Sequence, residues 1–200
     1  MERTTDKMVR PKLREYLSIM YGGAHVYEEL AINKGRTIVD VAVFSRSENI
    51  GFEIKSGRDT FTRLPKQIES YDKFFTRNYL VIDDNHLERA EKILPRYWGI
   101  LLAYHDGNEV VIELYRDAGV NPKQSKRIVL ELLWKDETTT LLKKYGKYKG
   151  MSAARLSRRY TVLNARLNIH EVLDELYQLL PQRVNWKQSM IGGETNDRND

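Results

Sequence analysis

The sequence predicts an α/β protein with a central mixed sheet flanked by helices and a C-terminal helical extension. Two observations lead to this prediction. Segments typical of strands alternate with segments typical of helices over roughly the first 120 residues, and beyond Asn121 the pattern is helical. We therefore divide the chain into a core at 1–120, a basic helical extension at 121–187, and a polar tail at 188–200 that we expect to be disordered.

The first elements of the core can be assigned from local pattern. Residues 7–20 predict a helix, which the Gly22-Gly23 pair ends. Residues 24–31 fit either a short helix or a strand, and the pattern does not decide between them. Residues 37–44 (TIVDVAVF) and 50–55 (IGFEIK) predict two strands joined by a short polar link, so we expect an antiparallel hairpin.

The remaining elements continue the alternation. Residues 59–77 predict a helix in which Pro65 marks the first turn of the main helical segment. After it we expect a strand at 78–83, a helix at 85–94, and two strands at 98–104 and 109–115 that pair across an Asp-Gly-Asn turn. The extension has candidate helices at 127–145, 151–160 and 169–180.

Positive charge is concentrated in the extension. The whole chain has a net charge of +5 and a sequence pI of about 9.2. Residues 121–187 hold 14 basic and 6 acidic residues, and no acidic residue occurs between Thr138 and His170. Such a surplus indicates a polyanionic partner, and we expect that partner to be nucleic acid.

Composition also excludes several classes of protein. The chain has no cysteine, which excludes disulfides and thiolate metal sites. Residues 1–10 lack the apolar centre of a signal peptide, and no apolar run is long enough to span a bilayer. We therefore expect a cytoplasmic protein that does not associate with membranes.

Asp40, Glu53 and Lys55 form a candidate catalytic cluster on the predicted hairpin. Glu53 and Lys55 are two residues apart and share one face of a strand, while Asp40 lies among valines, where aspartate is uncommon. Two carboxylates brought together by a hairpin would suit a hard divalent cation, with the Lys55 ammonium beside it. The simpler interpretation is that Asp40 is an exposed strand residue and that Glu53 and Lys55 form a solvated pair.

The spacing of Asp40 from Glu53-Ile54-Lys55 resembles the signature of the PD-(D/E)XK nuclease superfamily, with Val39 in place of the proline of the motif. The segment from Gln67 to Tyr71 resembles the Q-x-x-x-Y element of RecB-type and related nucleases. The run from residue 35 to 67 also resembles a small bacterial and phage branch of this superfamily, whose members continue into a helical part with a basic stretch.

The resemblance extends upstream of the hairpin. Glu29 resembles the acid that superfamily members often carry on their first helix, and the neighbouring Glu28 is the alternative. The resemblance implies a restriction-endonuclease-like sheet and a metal-dependent deoxyribonuclease that cleaves at either internal or terminal positions. A nucleic-acid-binding module on the same fold that has lost catalysis is the alternative, and an adaptor that binds a protein partner is a third.

The resemblance also implies a role for each site residue. Asp40, Glu53 and the backbone carbonyl of Ile54 would bind Mg²⁺ or Mn²⁺, and Glu29 would hold a second ion or a bound water. Lys55 would position or activate the attacking water. Gln67 would orient Lys55 or the scissile phosphate, and Tyr71 would support Gln67.

Nucleic-acid contacts are expected from two groups of cations. Arg58 and Arg63 follow the catalytic strand and could contact phosphates near the cleavage point. In the extension, tyrosines that could stack on unpaired bases are interleaved with basic residues. The expected basic contacts there are Lys143, Lys144, Lys147, Lys149, Arg155, Arg158 and Arg159, and the tyrosines are Tyr145, Tyr148 and Tyr160. A homodimer is a further expectation, because two centres would suit a double-strand cut, although no sequence feature indicates an interface.

Overall fold

The computed structural model describes residues 3–183 and the backbone of residues 188–190. Seven strands and seven α-helices are found in these residues. In chain order they are α1 Asp6–Met20, β1 His25–Ile32, β2 Thr37–Phe44, β3 Asn49–Lys55, α2 Leu64–Phe74, β4 Arg77–Asp83, α3 Leu87–Ile93, β5 Gly99–Asp106, β6 Glu109–Arg116, α4 Lys126–Leu130, α5 Lys135–Lys144, α6 Leu156–Arg166, α7 Ile169–Leu179 and β7 Gln188–Met190. Within the described part of the chain, no helix is both long enough and apolar enough to cross a bilayer.

The strands form one mixed sheet in the order β6-β5-β4-β3-β2-β1-β7. The β2–β3 hairpin is antiparallel, as predicted, and so are the β1–β2 and β5–β6 pairs. β3, β4 and β5 run parallel because helices connect them. The α/β class, with a mixed sheet, flanking helices and a helical C-terminal region, is therefore confirmed.

The two faces of the sheet are covered unequally. One face packs against α1, whose residues Val9, Leu13 and Leu17 are spaced for one helical face and fully buried. The other face carries α2, α3 and the C-terminal helices, which share one hydrophobic core with the sheet. Glu53 and Lys55 lie on this second face, opposite Phe52 and Ile54, which pack on the α1 side.

The C-terminal helices do not pack as a separate unit. Leu130, Leu163 and Leu173 are buried in the same cluster as Leu80 of β4 and Ile100 of β5. The extension therefore completes the hydrophobic cover of the sheet.

Several predicted boundaries differ from those of the structure. Residues 24–31, left undecided from sequence, form β1. The predicted helix at 127–145 is divided into α4 and α5. In the break between them, the Tyr160 hydroxyl donates a hydrogen bond of 2.8 Å to the Leu133 carbonyl. The helix predicted at 151–160 begins later, at Leu156.

One further difference has a clear local cause. The helix predicted from residue 59 begins at Leu64, because Asp59 instead accepts hydrogen bonds from the backbone and hydroxyl of Ser56 at 2.8 and 2.7 Å. Pro65 lies in the first turn of α2, as predicted. In the expected disordered tail, Gln188–Met190 instead pair antiparallel with β1, and 191–200 lie outside the described residues.

Candidate active site

The site begins where β2 separates from β3. The register pairs Val41 with Phe52 and ends there, one residue before Asp40 would face Glu53. The Asp40 carboxylate takes over the missing backbone pairing, because its Oδ2 accepts the Ile54 amide at 2.8 Å. Asp40 is therefore an acceptor fixed at the opening between the two strands.

A local irregularity in β1 and β2 directs Asp40 to this position. The β1–β2 register continues on both sides of Glu29 and Asp40 but does not pair the two residues. Glu29 has a φ of 53°, and Tyr27 and Leu30 face the same core although they are three residues apart. Since strand side chains normally alternate, the chain has changed face at this point, without a shift of the β1–β2 register.

Glu53 is the centre of a buried hydrogen-bond network. Its Oε1 accepts the Lys55 ammonium at 2.5 Å and also the Gln67 side-chain amide, and its Oε2 accepts the Tyr71 hydroxyl at 2.6 Å. Glu53 and Lys55 are only 1% and 5% exposed. Four residues that the sequence analysis selected therefore meet at one carboxylate.

Helix α2 supplies two of these groups because of its period. Gln67 and Tyr71 are four residues apart and share one helical face. Tyr71 is fully buried and packs against Phe75 and Trp98, with ring centroids 5.4 and 5.7 Å away. This packing fixes the height of the tyrosine hydroxyl above β3.

The electrostatics of the site are dominated by burial and by two neighbouring acids. Burial and, next, the negative charge of Glu53 raise the pKa of Asp40 to about 7, while the Ile54 amide, Arg10 and Lys55 act in the opposite direction. Burial, followed by the charge of Glu53, also raises the pKa of the Tyr71 hydroxyl well above its ordinary value. Tyr71 is therefore a hydrogen-bond donor at neutral pH.

The donor set fits a hard divalent cation in part. Asp40 and Glu53 offer carboxylate oxygens from adjacent strands, and the charge of Glu53 is, after burial, a cause of the raised pKa of Asp40. Among residues 3–183, no group of three or more His, Asp or Glu side chains could hold a metal ion. Mg²⁺ is commonly held by one or two carboxylates and otherwise by water or substrate, so two acids are compatible with it.

The third acid that the resemblance implies, Glu29 or Glu28, does not lie on the first helix. Glu28 and Glu29 lie on β1 and not on the first helix, which ends at Met20. Glu29 is exposed and does not form a three-acid group with Asp40 and Glu53. Glu28 contacts Arg14 at 3.5 Å, on the α1 side of the sheet.

Arg10 is a site residue that the sequence analysis did not select. Its guanidinium donates to the Asp40 carbonyl at 2.8 Å and lies 3.7 Å from the Asp40 carboxylate. Asp6, one turn earlier on α1, accepts from the same guanidinium at 3.0 and 3.1 Å. The i, i+4 spacing of Asp6 and Arg10 was visible in the sequence, but their approach to β2 was not.

The expected nucleic-acid contacts fall into exposed and buried groups. Arg58 and Arg63 are exposed, in the segment between β3 and α2. In the extension the exposed basic residues are Lys143, Lys144, Lys147, Lys149, Arg155 and Arg158. Lys144 is paired with Glu175 at 2.5 Å, so its charge is balanced by an acid outside the acid-free stretch.

Arg159 is not a surface contact, and that prediction is wrong. The side chain is 1% exposed and donates to the carbonyls of Ser152 at 2.9 Å and Ala154 at 3.1 Å. It also donates to the Thr139 hydroxyl at 2.5 Å. Arg159 therefore connects α6 to the loop before it and to α5.

The tyrosines of the extension are similarly engaged by the protein. Tyr160 is buried, so it cannot stack on a base. Tyr145 donates to Glu175 at 2.7 Å, and Tyr148 lies under the Lys143 ammonium, 5.2 Å from the ring centroid. The basic surface of the extension is thus formed by lysines and arginines more than by free aromatic rings.

Comparison with known proteins gives one family and one distant structure. A family model described as bacteriophage P4 protein cII matches residues 11–192. A solved structure of a protein of unknown function from Silicibacter pomeroyi has a TM-score of 0.45 and 18% sequence identity, covering 78% of this chain and 100% of that chain. No curated protein matches the sequence. The family match includes the Glu53 centre and the C-terminal helices.

Proposed function

The chain belongs to the bacteriophage P4 protein cII family, and we propose that it is a metal-dependent nuclease that hydrolyses phosphodiester bonds in DNA, in the cytoplasm. One observation carries the proposal. Lys55, Gln67 and Tyr71, which are distributed over a strand and a helix, all contact the carboxylate of Glu53, and the Asp40 carboxylate lies at the same strand opening. The sequence resemblance selected these five residues independently of the fold.

Asp40, Glu53 and the Ile54 carbonyl are the groups that would hold Mg²⁺ or Mn²⁺. A cation bound there would polarise the phosphate and make a water molecule more acidic. The protein contributes the orientation of the ligands. Asp40 is held by the Ile54 amide, and Glu53 is held by two donors from α2, so neither carboxylate has to be ordered when substrate arrives.

Lys55 supplies a positive charge in a site from which water is largely excluded. Its side chain is 6% exposed, and its ammonium lies beside Glu53. Electrostatic interactions are stronger in such surroundings, so the charge can stabilise negative charge that develops on the phosphate in the transition state. Gln67 and Tyr71 are positioning residues, because their contacts are with Glu53.

A cleavage assay tests the proposal. Plasmid and single-stranded DNA would be incubated with the wild type, Glu53→Gln and Lys55→Ala, each with Mg²⁺ and with Mn²⁺. We expect the wild type to cleave and the Lys55→Ala rate to fall on the order of 100- to 1,000-fold. Lys92→Ala is the matched control, since Lys92 is an exposed lysine on α3 whose contact is with Glu88 on the same helix; it should cleave like the wild type.

A second candidate is a DNA-binding module without catalysis. It is favoured by the fact that Glu53 already has three hydrogen-bond donors from the protein, as a structural buried acid would. Wild-type protein that binds DNA but does not cleave it with either metal would support this candidate and exclude the nuclease.

A homodimer belongs to the nuclease proposal only if both strands are cut together. Sedimentation of the protein with and without a DNA duplex would test it. A monomer that linearises plasmid in one step would exclude the dimer and leave the nuclease proposal intact.

A further inference from the structure

A groove of about 450 Å³ opens beside the Glu53 centre. It lies between the turn at Asn33–Gly35, the start of β2 and the first turns of α2. Gln67 lines the groove and also donates to Glu53, so one side chain connects the groove to the site. The groove is comparable in volume to the pockets that hold small ligands.

The charge of the groove has one sign. Arg36, Arg63 and Lys66 line it, and no acidic residue does. In the described part of the chain, no carboxylate lies within 4.0 Å of these three charged groups, whereas the adjacent Lys34 is paired with Glu131 at 3.4 Å. Three unneutralised cations around one concavity favour a ligand with several negative charges.

The groove also has an apolar part. Ile38 is 50% exposed at the start of β2, within the lining. Cations and an apolar surface together match a nucleotide, which carries a phosphate and a flat base.

We propose that this groove binds a short segment of single-stranded DNA and leads it to the Glu53 centre. This inference depends on the proposed function in one respect, which is that the strand bound in the groove is the strand that is cleaved. Arg36, Arg63 and Lys66 contact successive phosphates, and Ile38 lies against the face of an unpaired base. A duplex hides its base faces by stacking and is too wide to enter a groove of this volume, so it would contact only the rim.

The test measures binding without cleavage. Fluorescence anisotropy of a labelled single-stranded oligonucleotide is recorded in EDTA for the wild type and for a triple variant, Arg36→Ala, Arg63→Ala and Lys66→Ala. We expect affinity to fall on the order of 100-fold at about 0.1 M salt. The slope of log affinity against log salt should decrease by about 2, at about 0.7 for each phosphate that the variant no longer binds.

A matched control carries the same change in net charge elsewhere. Lys7, Lys12 and Lys92 are on α1 and α3, outside the groove lining, and their triple alanine variant should bind as the wild type does. Ile38→Ser keeps every charge, and it should weaken binding of the single strand but not of a duplex of the same sequence.

Each outcome decides one of the two proposals. Equal affinity of both triple variants, or a groove variant that loses duplex binding as strongly as single-strand binding, would overturn the groove. If the groove variant loses single-strand binding while the wild type shows no cleavage with any metal, the groove is supported and the nuclease proposal fails. If the wild type cleaves and the groove variant binds normally, the reverse holds.

Discussion

Glu53 illustrates how single residues determine this site. A buried carboxylate is costly unless its charge is balanced and its oxygens are hydrogen-bonded. Here Lys55 balances the charge, and Gln67 and Tyr71 complete the hydrogen bonding. Asp40 has fewer hydrogen-bond donors, and burial and, next, the negative charge of Glu53 raise its pKa to about 7. The two acids of the site therefore differ in how fully the protein satisfies them.

The raised pKa of Asp40 predicts a specific pH dependence of stability in EDTA. The pKa is about 7 in the folded state and near its ordinary value of 3.8 when unfolded, so between these values the folded state binds the proton more tightly. The free energy of unfolding should therefore fall as the pH rises from about 4 to 7, by about 2 to 4 kcal/mol. Urea denaturation across this range measures it.

Asp40→Asn provides the control for this prediction. The amide cannot ionise, so its stability should change less with pH than that of the wild type, and above pH 7 the variant should be the more stable protein. Parallel profiles for the two proteins would contradict the assignment of the proton to Asp40.

Arg159 and Arg158 are adjacent basic residues with opposite roles. Arg159 is buried and donates to five backbone or hydroxyl oxygens, whereas Arg158 is exposed. We expect Arg159→Ala to lower the free energy of unfolding by about 3 kcal/mol or more, because buried acceptors lose a charged donor. Arg158→Ala should change it by less than about 0.5 kcal/mol. Chemical denaturation of both variants is the measurement, and similar losses would contradict the assignment.

At the scale of elements, the site depends on an irregular pair of strands. The change of face at Glu29 allows Asp40 to leave the valine-rich surface of β2 and to reach the Ile54 amide of β3. A regular strand would have directed Asp40 into one of the two hydrophobic layers. The backbone of β1 therefore contributes to the site although its acids do not join the pair.

The positive φ of Glu29 can be tested by comparing two substitutions. Glu29→Gly and Glu29→Ala both remove the carboxylate and its methylene groups, so neither keeps the side-chain interactions of the glutamate. At φ 53° glycine is unstrained and alanine is not, so the glycine variant should be more stable than the alanine variant by about 1 kcal/mol. Thermal unfolding followed by circular dichroism measures the difference, and an alanine variant of equal or higher stability would show that the kink is absent.

At the scale of the whole molecule, the sheet and the C-terminal helices share one hydrophobic core. Leu80 of β4 and Ile100 of β5 are in the same buried cluster as Leu130, Leu163 and Leu173. Removing the helices would expose this surface on the face of the sheet that carries the candidate site.

The shared core predicts that the extension cannot be deleted. A chain truncated after Asn121 should fail to give a cooperative thermal transition, whereas the full chain should show a single transition by both circular dichroism and tryptophan fluorescence. Two separate transitions in the full chain, or a truncated chain that unfolds cooperatively, would show that residues 1–120 form an independent domain.

The sequence alone determined the elements and most of the candidate site. Runs rich in β-branched residues between turn signals predicted β2 and β3, helical spacing placed Gln67 and Tyr71 on one face of α2, and the period of a strand placed Glu53 and Lys55 together. These are local patterns, and they follow from backbone geometry before any tertiary contact forms.

Only the tertiary structure decided the features that depend on contacts between separate elements. The strand at 24–31, the change of face at Glu29, the contact of Arg10 with Asp40 and the burial of Arg159 all arise from packing of one element against another. A run of basic residues has no local signal that separates a buried arginine from an exposed one. That distinction is made when α5 and α6 meet, because a buried guanidinium requires acceptors that only the folded chain brings together.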